Sequence, residues 1–324
     1  MPVTRITPHV VLLPVPVPLP VHHTNCYALD TEDGFILIDT GMDTPDARTA
    51  WQAYDAELGL HRNRVRLIFV THFHPDHLGL AHWLSDRFEA PVAMMAGDAD
   101  TAEHYLDSPE SLTDETARNF YTAHGVPHDL LESWRKLDDA FHQTLSLPAV
   151  IERYHDGQTL NIGALRLQLI EQGGHTDHQG LVYLEDQNLL FTGDQVLARI
   201  TPNVSRWPAG HSNPLDAYLN SLRMLLKLGH PQGLPAHEAM LDDVNVRIHE
   251  LIAHHDRRNR DILGILGESP SSAYDLTPKL FRRNLDGYQF RFALGEALAH
   301  LEFLTQQDTV RVSQSHGIWI YECS

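Results

Sequence analysis

The chain has 324 residues, of which 42% are hydrophobic and 21% charged, an ordinary composition for a soluble globular protein with a sizeable core. Its 24 basic and 43 acidic residues give a formal net charge of −19, and such a surface repels polyanions, which argues against extended nucleic acid as a partner. Cys26 and Cys323 lie far apart in the sequence and imply no disulfide framework, so a reducing cytoplasm is the simplest location.

The longest apolar stretch, Val10 to Val21, carries proline at every second position from Pro14 to Pro20. A transmembrane helix or the core of a signal peptide needs an unbroken helical apolar run, so we expect neither here and predict no membrane partner. Because successive N–H groups of an extended chain point to opposite edges, all four missing donors fall on one edge. The pattern predicts an edge strand or a polyproline-like surface segment.

Alternating and β-branched runs predict strands in the following two hundred residues, and helical patterns lie between them. The predicted strands are Asn25–Asp30, Phe35–Asp39, Leu67–Val70, Pro91–Met95, Leu165–Glu171, Leu181–Leu184 and Leu189–Thr192. The predicted helices are Pro45–Leu60, Leu78–Phe88 and Pro214–Leu228. Strands that alternate with helices indicate an α/β layered domain, which we place at residues 1–243.

Residues 98–150 interrupt this alternation with an acidic helical stretch that bears aromatic residues. Two interpretations stay open. The stretch is either an ordinary helical cover over one sheet face or a lid-like insertion that shapes the substrate pocket. In the second case Tyr105 and Tyr121 are candidate pocket residues.

Residues 244–324 differ in character from the chain before them. Helices are predicted at Val244–Leu266, Ser271–Phe281 and Arg291–Gln306, and hairpin strands at Thr309–Ser313 and Gly317–Glu322. Three helices and a two-stranded wing make a small winged-helix domain, a layout that often binds DNA. The third helix carries no Lys or Arg beyond Arg291, so a basic recognition surface is missing. We expect this domain to pack against the first, to form a homodimer or to border the substrate pocket.

The densest group of metal-ligating side chains lies in the run THFHPDH at residues 71–77. His72 and His74 follow an apolar strand two residues apart, so in extended geometry both imidazoles face the same way. Pro75 keeps His74 extended and starts the turn into the next helix, which swings Asp76 and His77 toward a second point. Four ligands within six residues at a strand-to-helix junction indicate a place for two ions.

Further candidate ligands come where other strands end. His175 follows two glycines, Asp194 follows Gly193, and His237 follows Pro235 and an alanine. Ligands collect at strand ends in layered α/β sheets, so we expect these loops to converge on residues 71–77. Taken singly, Asp194 is equally well explained as a turn former and His237 as a surface residue.

Together these motifs resemble the full ligand set of the metallo-β-lactamase superfamily over about residues 1–245. The matching motifs are His72-x-His74-x-Asp76-His77, Gly174-His175-Thr176, Gly193-Asp194, Ala236-His237 and the early Ile38-Asp39-Thr40-Gly41. The resemblance implies an αββα sandwich of two sheets flanked by helices. It implies one ion held by His72, His74 and His175, a second held by Asp76, His77 and His237, and Asp194 as the bridge. Asp39 would hydrogen-bond the site without ligating, and Asp76 would also orient the attacking hydroxide.

Two positions narrow the choice within the family. The best-known zinc β-lactamases have Cys where Asp194 stands, which argues against antibiotic hydrolysis, and flavo-diiron proteins have Glu where His74 stands, which argues against redox chemistry. The third motif often reads Gly-His-Thr-Pro-Gly, whereas Asp177 and His178 follow Thr176 here. His178 is therefore either a pocket residue or the partner in a local loop hydrogen bond. The C-terminal layout resembles a branch that includes an endoribonuclease and thioesterase-like hydrolases.

The resemblance implies a cofactor of two divalent metal ions per chain. An all-His/Asp donor set suits Zn²⁺, with Mn²⁺ or Fe²⁺ as alternatives, because such sites do not select sharply among them. A hydroxide shared by the ions would be the nucleophile. We expect a small-molecule substrate, namely an ester, thioester or lactone of a small organic acid. Two alternatives stay open: a non-catalytic metal-binding protein, and a phosphodiesterase or endoribonuclease. The second would need a local basic patch, for which the candidates are Arg257, Arg258, Arg260, Arg282 and Arg283.

Overall fold

The computed structural model describes residues 2–107, 115–142, 145–282 and 284–324. A first sheet holds seven strands that neighbour one another in chain order. They are β1 (Thr4–Arg5), β2 (Val10–Pro16), β3 (His23–Thr31), β4 (Gly34–Ile38), β5 (Val65–Phe69), β6 (Val92–Met95) and β7 (Ile151–Tyr154). Strands β1 to β4 pair antiparallel, and β4 to β7 pair parallel.

A second sheet holds five strands in the order β12-β11-β10-β9-β8. They are β8 (Thr159–Ile162), β9 (Leu165–Gln172), β10 (Gln179–Leu184), β11 (Leu189–Gly193) and β12 (Gln232–Pro235). Only the β11–β12 pair is parallel among its described pairings. The strands β1, β7, β8 and β12 are not predicted from the sequence, because each is short and none is a continuous apolar run.

Helices cover the outer faces of both sheets. Those before the C-terminal residues are α1 (Pro45–Leu58), α2 (Pro75–Leu78), α3 (Ala81–Phe88), α4 (Ala96–Asp107), α5 (Glu115–Ala123), α6 (His128–His142) and α7 (Pro214–Leu225). Side chains of both sheets, such as Phe69 and Phe191, share one buried cluster between the sheets. A second cluster joins the first sheet to α1 and α3, and a third joins the second sheet to α7. The predicted αββα sandwich is confirmed.

The proline-rich segment forms an edge, as its spacing predicts. Among the described residues, strand β1 pairs with Val11 and Leu12 of β2 alone, whereas β3 pairs with every residue of β2. Pro14 and Pro16 therefore lie beyond the end of β1. On that edge no described strand needs a backbone N–H from them.

The prediction of one continuous helix at Leu78–Phe88 is wrong, because the structure has two helices there, α2 and α3. A Cβ atom at Gly79 would lie 2.8 Å from the backbone nitrogen of Asp43, so the loop after β4 presses directly on the helix axis. The N–H of Leu80 donates to the carbonyl of Gly41 at 3.0 Å. The carbonyl of Asp76, its usual helical acceptor, accepts the Thr24 hydroxyl instead. A tertiary contact thus ends the helix directly after the ligand residues.

Residues 244–324, here called the C-terminal unit, contain three helices and a two-stranded antiparallel sheet. The elements are α8 (Val244–Glu268), α9 (Ala273–Leu280), α10 (Gly287–Gln306), β13 (Val310–Ser315) and β14 (Ile318–Cys323). Helix α10 begins four residues before the predicted start, because the side chain of Asp286 accepts the N–H of Gln289 and caps it. None of the described helices is long and apolar enough to cross a membrane.

The stretch 98–150 is helical where the structure describes it, and residues 108–114, 143 and 144 lie outside that description. Helices α5 and α6 pack against the C-terminal unit rather than standing apart. Tyr121 and Trp134 share a buried cluster with Leu276, Leu294 and other residues of that unit. Whether the stretch acts as a lid stays a prediction.

Two buried histidines link α8 to α10. His255 Nδ1 lies 3.2 Å from His300 Nε2, and His300 Nδ1 lies 2.7 Å from the Asn259 side-chain oxygen. Burial lowers the pKa of His255 to about 3, and it lowers the pKa of His300 well below its usual value. The neighbouring charges of His254 and Arg258 act in the same direction.

We therefore expect the protein to lose stability as the pH falls from about 6.5 toward 3. In that window the unfolded chain binds protons that the buried pair of the native protein does not bind. The free energy of unfolding therefore falls by up to about 1.4 kcal/mol per pH unit for each histidine. Urea unfolding of metal-free protein at pH 7 and pH 5 measures this. In the double variant H255Q/H300Q the free energy of unfolding should fall less between pH 7 and pH 5. In H316Q, which changes an exposed hairpin histidine, it should fall as much as in the wild type. The same loss of unfolding free energy in all three proteins would show that His255 and His300 do not cause this pH dependence.

Candidate metal centre

The seven predicted ligands meet at one end of the sandwich. His72 and His74 follow β5, Asp76 and His77 lie in α2, and His175, Asp194 and His237 follow β9, β11 and β12. Their donor atoms form three overlapping groups that could each hold a metal ion. These groups are His72/His74/His175, Asp76/His77/His237 and His72/His77/Asp194.

The first donor set consists of three imidazoles. His74 Nδ1 lies 2.9 Å from His72 Nε2 and 3.1 Å from His175 Nε2. Burial lowers the pKa of all three groups, that of His74 to about 3, so they are neutral at pH 7. Three neutral imidazoles whose nitrogens converge on one point suit a cation better than they suit each other.

The second donor set lies beside it. Asp76 Oδ2 is 3.3 Å from His237 Nε2 and 3.8 Å from His77 Nε2. Asp194 stands between the two sets: its Oδ2 is 3.6 Å from His175 Nε2 and 3.7 Å from His77 Nε2, and its Oδ1 is 3.5 Å from His237 Nε2. One carboxylate thus faces ligands of both sets.

Three of the histidines have their ring orientation set by hydrogen bonds on the far side of the ring. The Nδ1–H of His175 donates to the carbonyl of Asn203, and that of His237 donates to the carbonyl of His23. The Nδ1–H of His77 donates to Asp39 at 2.9 Å. Each bond leaves the Nε2 atom directed at the centre, and His77 Nε2 is buried with no hydrogen-bond partner. The arrangement fits a bound metal, because a buried ring nitrogen without a partner is costly.

Asp39 is buried at the end of β4, and its carboxylate contacts the predicted ligand His77. Besides His77, its carboxylate accepts the backbone N–H and the hydroxyl of Thr71, at 2.8 and 2.9 Å. The sequence reasoning assigned no role to Thr71 or Asn203. Thr71 could have been noticed as a hydroxyl directly before the histidine run, whereas Asn203 lies in a loop with no motif.

At the second donor set, neighbouring carboxylates and imidazoles shift each other's pKa values. Burial opposes ionisation of Asp76, but His77 and His237 outweigh it and hold the pKa of this carboxyl at about 2. Burial also opposes protonation of His237, yet Asp194 and Asp76 raise its pKa to about 9. Asp39, Asp194 and Asp76 likewise raise the pKa of His77 well above its usual value, against the effect of burial. These carboxylates make a centre that attracts cations.

The three candidate pocket residues occupy different surroundings. Tyr105 packs on Phe73, which in turn packs on His74, with ring centroids 6.1 and 4.8 Å apart. The ring of Tyr121 is buried against Trp134, within the cluster of the C-terminal unit. His178 Nδ1 lies 2.9 Å from a carboxylate oxygen of Glu171, which is the local hydrogen bond that the sequence left open. A pocket role for these residues stays a prediction.

Of the arginines considered for a phosphodiester-binding patch, Arg258 is held inside the protein. The Arg258 guanidinium lies over the Phe281 ring and 3.4 Å from Glu296, inside the C-terminal unit. Arg257, Arg260 and Arg282 are exposed, and Arg283 lies outside the described residues.

Comparison with known proteins agrees with this geometry. The family described as "Metallo-beta-lactamase superfamily" matches residues 19–231, and "Metallo-beta-lactamase-like, C-terminal domain" matches residues 260–324. "Probable metallo-hydrolase YqjP" of Bacillus subtilis is 26% identical over 313 residues, which are 94% of each chain. The crystal structure of the metallo-beta-lactamase family protein TTHA1429 from Thermus thermophilus superposes with a TM-score of 0.86 at 32% identity, over 99% of this chain and 100% of that one.

One further relative carries a named activity. "Atrochrysone carboxyl ACP thioesterase" of Aspergillus fumigatus is 26% identical over 247 residues. The match spans 74% of this chain and 58% of that protein.

Proposed function

The chain belongs to the metallo-β-lactamase superfamily, and we propose that it is a dinuclear metal-dependent hydrolase of an ester, thioester or lactone of a small organic acid. The observation that carries the proposal is the position of Asp194, whose carboxylate lies within 3.7 Å of ligand nitrogens from both donor sets. The family match and the His/Asp groups identify the chain as a metallo-hydrolase of this superfamily.

Each part of the centre has a role in this proposal. His72, His74 and His175 would hold one ion, Asp76, His77 and His237 would hold the other, and Asp194 would serve both. Two such divalent ions supply Lewis acidity and a water nucleophile that is active near neutral pH. Zn²⁺ suits the nitrogen-rich donor set best, with Mn²⁺ or Fe²⁺ as alternatives.

The residues of the chain orient the reactants. Asp76, whose pKa is held at about 2, stays an ionised acceptor that can orient the attacking water. Asp39 and the carbonyls of Asn203 and His23 hold three imidazole rings in position, so that ligand geometry does not have to be rebuilt during turnover.

Three observations support an acyl substrate over a polyanion. The net charge of −19 repels polyanions. Phe73 and Tyr105 place an apolar wall beside His74. A relative that aligns with 74% of the chain is named as a thioesterase. We propose, in keeping with this, that the winged-helix layout of the C-terminal unit serves the hydrolase domain and does not bind DNA.

Metal analysis and a substrate panel test the proposal together. We expect about two divalent ions per chain and turnover of acyl-thioesters, p-nitrophenyl esters or lactones that stops when the ions are removed by a chelator and returns with Zn²⁺. Bis-p-nitrophenyl phosphate serves as the phosphodiester control. Turnover of the phosphodiester alone would show that the acyl assignment is wrong, and a single ion per chain would show that the dinuclear assignment is wrong.

A further inference from the structure

Helix α10 of the C-terminal unit touches the loop that follows β11, and it does so at a glycine. The backbone N–H of Arg206 donates to the carbonyl of Gly295 at 3.0 Å. A Cβ atom at Gly295 would lie 2.6 Å from the Ser205 Oγ and 2.8 Å from the Ser205 Cβ. Real Cβ atoms do not come this close to another carbon, so the loop can sit here only because residue 295 has no side chain.

Two residues earlier, at Asn203, the same loop contacts His175, one of the proposed metal ligands. Ser205 is buried, and its hydroxyl donates to the side-chain oxygen of Asn203 at 2.7 Å. The carbonyl of Asn203 accepts the Nδ1–H of His175 at 2.9 Å. A continuous series of short contacts therefore runs from α10 to the imidazole that completes the first donor set.

Residues beside this series also anchor the loop on α10. The ring of Trp207 meets the ring of Phe292 edge-on with centroids 5.7 Å apart, and the Arg291 guanidinium lies 5.2 Å from the Trp207 centroid. Val204 belongs to the buried cluster that contains Ala299. Residues 201–207 have no helix or strand of their own, so the position of the Asn203 carbonyl depends on contacts with other elements, and these contacts with α10 are among them.

We propose that Gly295 is a positioning residue, through which the C-terminal unit holds Asn203 and so keeps the Nε2 of His175 directed at the first metal position. The proposal rests on the proposed function, because it assigns the C-terminal unit a part in the same metal centre. An alanine at position 295 would displace Ser205, shift the Asn203 carbonyl and rotate the ligand ring.

The variant G295A tests this against a matched control, G264A. Both change a helical glycine to alanine, and both gain the same intrinsic preference for helix. An added Cβ at Gly264 has no heavy atom within 4 Å. Zn²⁺ affinity is measured by competition with a chromophoric chelator, and Co²⁺ absorption reports the ligand geometry. We expect G295A to weaken Zn²⁺ binding about 10-fold or more and to change the Co²⁺ spectrum, as is usual for residues that support a ligand. G264A should match the wild type in both measurements.

A size exchange checks the cause. In S205G/G295A the atoms closest to the new Cβ are gone, and the remaining Ser205 Cα position is 3.6 Å away, an ordinary contact. The double variant should therefore bind Zn²⁺ like S205G alone, because the Gly295→Ala change adds no further loss once the Ser205 side chain is gone. If G295A does not fold, S205A tests the same series, since it removes only the hydroxyl that holds Asn203, and it should weaken Zn²⁺ binding.

The outcomes separate the two proposals. A wild-type protein that binds Zn²⁺ and a folded G295A that binds it equally well, with the same Co²⁺ spectrum, would overturn the role of Gly295 and leave the proposed function in place. A wild-type protein that binds no divalent ion would overturn both.

Discussion

Asp194→Ala is expected to lower kcat/KM by at least about 10³-fold while the protein stays folded. Residues that merely support a metal ligand cost about 10–100-fold in activity when they are removed. Asp194 itself faces both donor sets, at 3.5 to 3.7 Å from His175, His77 and His237, so its loss affects both metal positions at once. We also expect the metal content to fall below two ions per chain.

Asp186→Ala is the matched control for this variant. Asp186 lies in the turn between β10 and β11, at the opposite end of the strand that delivers Asp194, and it is exposed. Steady-state kinetics, metal analysis and circular dichroism of both variants make the comparison. Full activity and two ions per chain in a folded Asp194→Ala protein would show that this carboxylate does not bridge.

Asp39→Ala is expected to lower the free energy of unfolding by about 3–5 kcal/mol, the usual cost of removing one partner of a buried charged pair. The carboxylate is 1% exposed and accepts hydrogen bonds from Thr71 and His77. Its loss removes the carboxylate that accepts the buried Thr71 N–H and the His77 Nδ1–H. The same change frees the His77 ring to turn, so activity should fall about 10–100-fold.

Asp43→Ala provides the comparison for Asp39. Asp43 follows the same strand and pairs with Arg48 at the surface, where an ion pair contributes about 0–1 kcal/mol. Urea unfolding of the metal-free proteins separates the stability effect from metal binding, and kinetics of the metal-loaded proteins follows the activity. An Asp39→Ala protein as stable as Asp43→Ala would mean that the buried network around Thr71 does not stabilise the fold.

The candidate ligands were predictable from the sequence because their chemistry is local. Four of them lie within residues 72–77, and the others come where an apolar strand meets a small or kinked residue, so residue type and strand ends were sufficient to select them. The same holds for the layered fold: its longer strands are alternating or continuous apolar runs, and a proline at every second position marks an edge.

The contacts that hold those ligands were not predictable, because they join residues far apart in the sequence. The break between α2 and α3 depends on the loop after β4, and the burial of Tyr121 depends on a C-terminal unit more than a hundred residues away. Asn203, which contacts His175, lies in a loop that hydrogen-bonds to α10 at Gly295, far along the chain.

The sequence by itself thus determined which side chains can bind metal and which layers carry them, since both follow from residue type and periodicity. Only the tertiary structure decided how the imidazole rings are turned, and it places the Asp194 carboxylate, which the family resemblance implied as the bridge, against ligands of both donor sets. Ring orientation depends on hydrogen bonds to backbone carbonyls, and every residue of the chain has a carbonyl, so no sequence pattern distinguishes those of His23 and Asn203.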